Sequence, residues 1–221
     1  MRSNSYYMLI SSLPPLPVRF EVTRLPITLE RLQGRLRMLE PEDAAEIERV
    51  MKFLEWSPQS PATADAAIVR RYDELLHTLR SPLSRTVLKA NMNVRMIMAA
   101  LRRRRHGLGP PPVGIGQWFG HIRLHFQQPD FALGHVLPWL VPFDQLLEHD
   151  DVLTLYQRVL GETWSYLRRL EQDYDMFSFE AVVLYIARWD TMRRWQQLEP
   201  ERGRKIFEAL VTEAIGEHAA F

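Results

Sequence analysis

The sequence predicts an all-α fold of packed helical bundles with a short extended segment at its N-terminus. Three observations carry that expectation. Apolar residues recur at i, i+3, i+4 and i+7 through most of the chain. The stripes are bounded by capping residues, prolines and glycines. Apolar types make up 46 % of the 221 residues, enough to build a real core.

Residues 5–13 (SYYMLISSL) are rich in aromatic and β-branched types and run into PPLP. That composition reads as a short extended segment stopped by prolines, or as the first turn of a helix. From Glu40 the period becomes 3.6. Pro41, Glu42 and Asp43 suit a first helical turn, with proline where no amide hydrogen is needed and acids at the positive end of the dipole. Ile47, Val50, Met51 and Leu54 form one stripe, and Ile68, Tyr72, Leu75, Leu76 and Leu79 form a second after the break at 57–61. Ser81-Pro82 caps and opens a third helix along Val87, Val94, Ile97, Met98 and Leu101, which ends in four arginines and Gly107. Asn91 shares that buried line, so its amide is expected to bond a neighbouring helix's backbone.

Regularity fails from Leu108 to Phe143, where prolines and glycines crowd the sequence. It returns after Asp150/Asp151, which can cap a stripe of Val152, Leu155, Tyr156, Val159, Leu160, Leu167 and Leu170. Phe179, Val182, Val183, Ile186 and Trp189 make the next stripe. Pro200 opens a last one with Ile206, Phe207, Leu210, Val211 and Ala214. The expected organisation is a helical block at 1–107, an irregular Pro/Gly-rich connection at 108–142 and a helical block at 143–221, as separate units or as one compact domain.

Twenty-eight Lys and Arg against twenty-seven Asp and Glu leave a formal charge of +1, so attraction to an anionic partner has to come from local patches. Those patches are Arg102–Arg105 and the pairs Arg168/Arg169 and Arg193/Arg194. The absence of cysteine excludes disulfides and thiolate metal sites and fits a reducing compartment. The apolar run Tyr6–Ile10 is too short to span a bilayer and reads as neither signal peptide nor anchor.

Catalytic and cofactor readings find little purchase. Gly114, Gly116 and Gly120 are spaced GxGxxxG behind a triple proline, which is not a dinucleotide loop. His121 and His125 share a helical face with Asp130 and His135 close in sequence, but Arg123 between them disfavours a metal. Glu180 and Asp190 stand about 15 Å apart along a helix, too far for paired-carboxylate hydrolysis. No catalytic residue, cofactor or metal ligand is therefore assigned. Glu180, Asp190, Asn91 and Asn93 read as structural polar residues, with Asp190 placed to pair with Arg193 or Arg194 at i+3 and i+4. Arg102, Arg103, Arg104, Arg105, Arg193 and Arg194 are the expected partner-binding residues, because guanidinium clusters and Trp/Arg mixtures favour interfaces. An alternative reading makes Arg102–Arg105 an RNA- or phosphate-binding site on a helical module, although stacking aromatics are not interleaved with those arginines.

Two stretches carry a family resemblance. Ala90-Asn91-Met92-Asn93-Val94-Arg95, with the apolar run, arginines and Gly107 that follow, resembles a signature of the V/A-type ATPase C-subunit family, whose eukaryotic relatives are the d subunits. FSFEAVVLYIARWDTMRRW, residues 177–195, is similar to a helix near the C-terminus of that family, with Asp190 in place of its second glutamate. With SYYMLISSLPPL, the chain as a whole resembles a short bacterial family of unknown function encoded with V/A-type ATPase genes. The resemblance implies an all-helical, non-catalytic central-stalk component that couples the rotor shaft to the membrane ring in proton or sodium transport. It also implies a cytoplasmic position, peripheral to the inner membrane, with the shaft and ring subunits as partners. Full-length members of the C-subunit family repeat a similar helical domain more times than this chain has room for, and Thr191-Met192 replaces the family's usual polar pair.

Overall fold

The computed structural model of the protein describes residues 6–54, 65–149 and 151–198. The expected last helix with Ile206, Phe207, Leu210, Val211 and Ala214 lies outside them. Among the described residues the regular structure is entirely helical, as the periodicity predicts. The helices are α1 (Tyr7–Ser12), α2 (Leu29–Leu36), α3 (Pro41–Leu54), α4 (Asp65–Thr78), α5 (Pro82–Arg105), α6 (Phe119–Leu124), α7 (Leu140–Glu148), α8 (Val152–Leu170) and α9 (Phe179–Gln197). A 3-10 turn, Glu171–Asp173, continues α8.

The predicted caps set several of these boundaries. Ser81 accepts a hydrogen bond from the Ser84 amide ahead of Pro82 and so starts α5. Gly107, at φ +65, ends it, and the Leu108 amide donates back to the Arg103 carbonyl. Asp151 accepts from the Thr154 amide at the start of α8. A cap not read from the sequence, Ser178, accepts from the Ala181 amide at the start of α9.

α5 is 24 residues long, about 36 Å at 1.5 Å per residue, and touches all three hydrophobic cores. Its Leu83 and Val87 join the first core, where the α8/α9 hairpin packs against α1–α3 around Trp164, Ile186, Trp189 and Met192. Leu88 and Met92 join a second with α3, α4 and Ile115. Ile97, Met98, Ala100 and Leu101 join the third, formed with α6, α7 and Leu155 of α8. The segment 108–142 is thus built into that third core through Ile122, Phe126, Phe131 and Leu133. Asp130 organises its tightest turn by accepting from the Ala132 and Gly134 amides, which holds Phe131 and Ala132 at positive φ.

The N-terminus corrects the expectation of an extended segment, because residues 7–12 are helical. Tyr6, Leu9 and Leu13 are buried, whereas Tyr7 and Met8 are exposed, a helical stripe hidden in a β-prone composition. Tertiary packing overrides local propensity here. The Tyr6 amide donates to the Phe177 carbonyl at 2.7 Å, and its hydroxyl donates to the buried Asp43 carboxylate at 2.5 Å.

Between α1 and α2 the chain runs as an irregular strap with few backbone partners of its own. Side chains of the hairpin supply them. Tyr185 Oη donates to the Pro14 carbonyl (2.9 Å), Trp164 Nε1 to Val18 (3.0 Å), Gln196 Nε2 to Thr23 (2.8 Å) and Trp189 Nε1 to Ile27 (2.8 Å). The Arg188 guanidinium reaches the Pro17 carbonyl while pairing with Glu171. A second buried carboxylate, Glu46 of α3, accepts from the Arg80 and Ser81 amides and so fixes the entry to α5.

Trp189 is fully buried, so urea titration of Trp189→Ala should show a loss of about 3–5 kcal/mol. Trp189→Phe should lose less, through the unpaired Ile27 carbonyl, and an unchanged midpoint in the alanine variant would contradict the packing described. The Tyr185 phenol is pushed up to about 12 from its ordinary 10.0 because burial disfavours the phenolate, against the opposing charge of Arg188. Its proton therefore supports folding fully below pH 10, and that support is lost as pH rises through about 12. Tyr185→Phe should flatten the fall in stability across that alkaline window, and a pH–stability curve parallel to that of the parent would refute the assignment.

Candidate functional site

The residues that sequence reasoning singles out fall into three places. At the α6 end, His121 and His125 do come together, with ring centroids 4.4 Å apart. His121 Nε2 is buried without a hydrogen-bond partner among the described residues. Asp130 is occupied by backbone amides, which hold its carboxyl below the usual range. No group of three or more His, Cys, Asp or Glu side chains able to hold a metal occurs among the described residues. The neighbouring glycines have a packing explanation. A Cβ on Gly114 would clash with Phe119 and Met96, and one on Gly116, at φ +92, with Asn93. Asn93 Oδ1 accepts from the Gln117 amide, which ties this loop to α5.

The arginine run at the C-terminus of α5 is largely engaged within the chain. Arg104 bonds the Gln128 and Pro129 carbonyls, pairs with Asp144 at 2.6 Å and lies 4.6 Å over the Phe131 ring. Arg103 Nε donates to the Gly109 carbonyl. Burial raises the Asp144 pKa despite the nearby Arg104 charge. Arg104 thus fastens α5 to the 126–131 turn and α7. Arg102 and Arg105 stay exposed on the outer face.

The third place is a polar node between α3, α5, α8 and α9. Asp190 accepts from Arg193 (2.6 and 3.0 Å) and from Arg194 (2.7 Å), so one carboxylate serves the two guanidiniums at i+3 and i+4. Arg193 also lies over the Trp189 ring. Arg95 of α5 and Arg194 of α9 both donate to the Leu54 carbonyl at the C-terminal end of α3, where the helix dipole favours cations. Burial, reinforced by the Arg194 charge, lowers the Arg95 pKa. At Arg194 burial acts in the same direction, but Asp190 and Tyr156 outweigh it and its pKa is raised. Glu180, at the other end of α9, accepts from the Ser81 hydroxyl at 3.3 Å and so links α9 to the start of α5.

Asn91 corrects its expectation: Oδ1 is buried with no hydrogen-bond partner among the described residues. It lies one turn before Arg95 on the face that α5 turns inward, and the backbone groups of helices packed there are already engaged in their own ladders. The roles of Arg95, Arg188 and Glu46 inside the fold go beyond the sequence reading, in which Arg188 beside Trp189 counts only as part of an interface-type Trp/Arg mixture. The Arg95 position is visible as the basic residue of Asn-Val-Arg, whereas the pairing of Arg188 and the caps made by Glu46 have no local signal, because their partners lie 17 and about 35 residues away.

Two of the depressions in the described surface are open ones. One, of about 300 Å³, is lined by Asp73, Leu76, His77, Arg85 and Lys89 between α4 and α5. The other, of about 310 Å³, lies on α8 over Trp164. Neither encloses a small molecule in the way an apolar cleft does. No helix among the described residues is long and apolar enough to cross a membrane.

In comparison with known proteins, no family model matches the chain, no curated protein matches it, and no solved structure matches it.

Asp190→Asn removes the carboxylate of a node whose side chain is only 17 % exposed, and chemical denaturation should show a loss of about 1–3 kcal/mol. Adding Arg95→Met should recover part of it by relieving repulsion among the remaining guanidiniums. Strictly additive losses would mean that the two sites do not interact.

Proposed function

We propose that the chain is a non-catalytic component of the central stalk of a V/A-type ATPase, of the C/d type, coupling the rotor shaft to the membrane ring in proton or sodium transport. One observation carries the reading. The two stretches that resemble the C-subunit family, 90–107 and 177–195, fall largely on α5 and α9, and the basic residue of one motif, Arg95, shares the Leu54 carbonyl with Arg194 of the other, which is bonded to Asp190. Motif residues that are far apart in sequence thus serve one structural junction. The all-helical architecture and the rigid tie-points of α5 support the same reading, since a torque-transmitting adaptor works through packed helices and charged rims. In this role the protein sits on the cytoplasmic side, peripheral to the inner membrane, held by its partners.

Affinity purification of the tagged full chain from its native host, under gentle detergent and low salt, should recover central-shaft and membrane-ring subunits, identified by mass spectrometry. Recovery of the chain with no ATPase subunit would overturn the proposal.

A further inference from the structure

Sulfur chemistry in this chain is confined to methionine. The sequence holds nine methionines and no cysteine, so an oxidant meets no thiol and acts on sulfur only as thioether. The fold sorts these side chains by depth. Met92, Met98 and Met192 each fill a different core, and Met96 is buried beside Gly114. Met51 is partly buried against the first core. Met8 on α1 is 76 % exposed, Met176 ahead of α9 is 67 % exposed, and Met38 beyond the end of α2 is 42 % exposed.

The two most exposed of these thioethers meet at one seam, although they stand far apart in sequence. The Tyr6 amide donates to the Phe177 carbonyl at 2.7 Å, and the Tyr7 and Phe177 rings lie 4.7 Å apart. Met8 and Met176 are the chain neighbours of that ring pair, one on each segment. Both segments are held. Leu9 of α1 is buried, while the Asp175 carboxylate accepts from the Phe177 amide at 2.8 Å and the Asp175 carbonyl accepts from the Ser178 hydroxyl at 2.7 Å. The thioethers are therefore displayed by ordered backbone on both sides of the seam.

An exposed thioether takes up oxygen from peroxide directly. Its sulfur lone pair attacks one peroxide oxygen, the O–O bond breaks, an S–O bond forms and the other oxygen leaves as water after a proton shift; sulfur loses the two electrons that peroxide gains. The product sulfoxide is polar where the thioether was apolar. At Met8 and Met176 that change leaves the packing untouched, because little of either side chain is buried. At Met92 or Met192 the same oxygen has to enter a close-packed interior. We propose that Met8 and Met176 form a paired oxidation site, at which peroxide turns the α1/α9 seam from an apolar surface into a polar one while the cores keep their thioethers. The site stands independently of the central-stalk reading.

The full chain can be treated with limiting hydrogen peroxide and followed by peptide mass spectrometry. Met8 and Met176 should each gain one oxygen at least about tenfold faster than Met92, Met96, Met98 and Met192, with Met38 between the two groups. On hydrophobic-interaction chromatography the oxidised chain should elute earlier than the untreated one. Met8→Gln/Met176→Gln places a polar group of similar length at both positions, so it should elute early from the start and lose most of its response to the same dose of peroxide. Its circular dichroism and thermal unfolding should match those of the parent, since both side chains are exposed. Met38→Gln should respond to peroxide as the parent does. Equal oxidation of buried and exposed methionines, oxidation of Met38 ahead of the pair, or a peroxide response retained in full by the Met8/Met176 variant would each overturn the proposal.

Discussion

An irregular strap laid over a helical hairpin has carbonyl groups and no strand or helix to take them, and an unpaired buried carbonyl costs about 1–3 kcal/mol. The molecule meets this constraint with side-chain donors. An indole from α8, and a phenol, a guanidinium, an indole and a carboxamide from α9, reach five carbonyls between Pro14 and Ile27. The donors need rigid placement, which is why α8 and α9 pack along each other and why Trp164 and Trp189 are buried. The strap in turn closes the core that α1, α2 and α3 share with the hairpin. Remove that capture, and the N-terminal helices lose their seat.

What is legible in sequence divides along the same line. Helices whose signals are local can be read directly: the Ser81-Pro82 start, the Gly107 stop, the Asp151 cap and the pairing of Asp190 with the arginines one turn on. Features that depend on distant partners cannot. Tyr6–Leu13 has a β-prone composition and is helical because the far end of the chain supplies its environment. The proline- and glycine-rich stretch reads as a connection, yet its apolar residues at 122, 126, 131 and 133 fill a core. Its glycines mark places where a loop presses on Asn93, Met96 and Phe119, a requirement invisible without the packing. Asn91 shows the converse: its helical position follows from the pattern, and the polar partner expected of it is absent among the described residues.

The candidate sites divide in the same way. A run of four arginines looks like a single binding feature in sequence, but the helix sends successive residues in different directions. Arg104 turns inward to tie α5 to a turn and to α7, Arg103 caps the following loop, and Arg102 and Arg105 remain outside. The less conspicuous pair at Arg168/Arg169 keeps both side chains at the surface of α8. Density of charge along the chain is therefore a poor guide to charge on offer to a partner, because ion pairing and carbonyl capture within the fold remove part of it.

The strap also sets an order for folding. Its donors lie 146 to 173 residues further along the chain, so during synthesis the carbonyls of the strap emerge without those partners until α8 and α9 follow. Through that interval α3, α4 and α5 can assemble around their own core while the strap lacks its side-chain donors. Closure of the strap is then among the last events, and a nascent chain arrested before α9 leaves an N-terminal segment for chaperones or proteases to find.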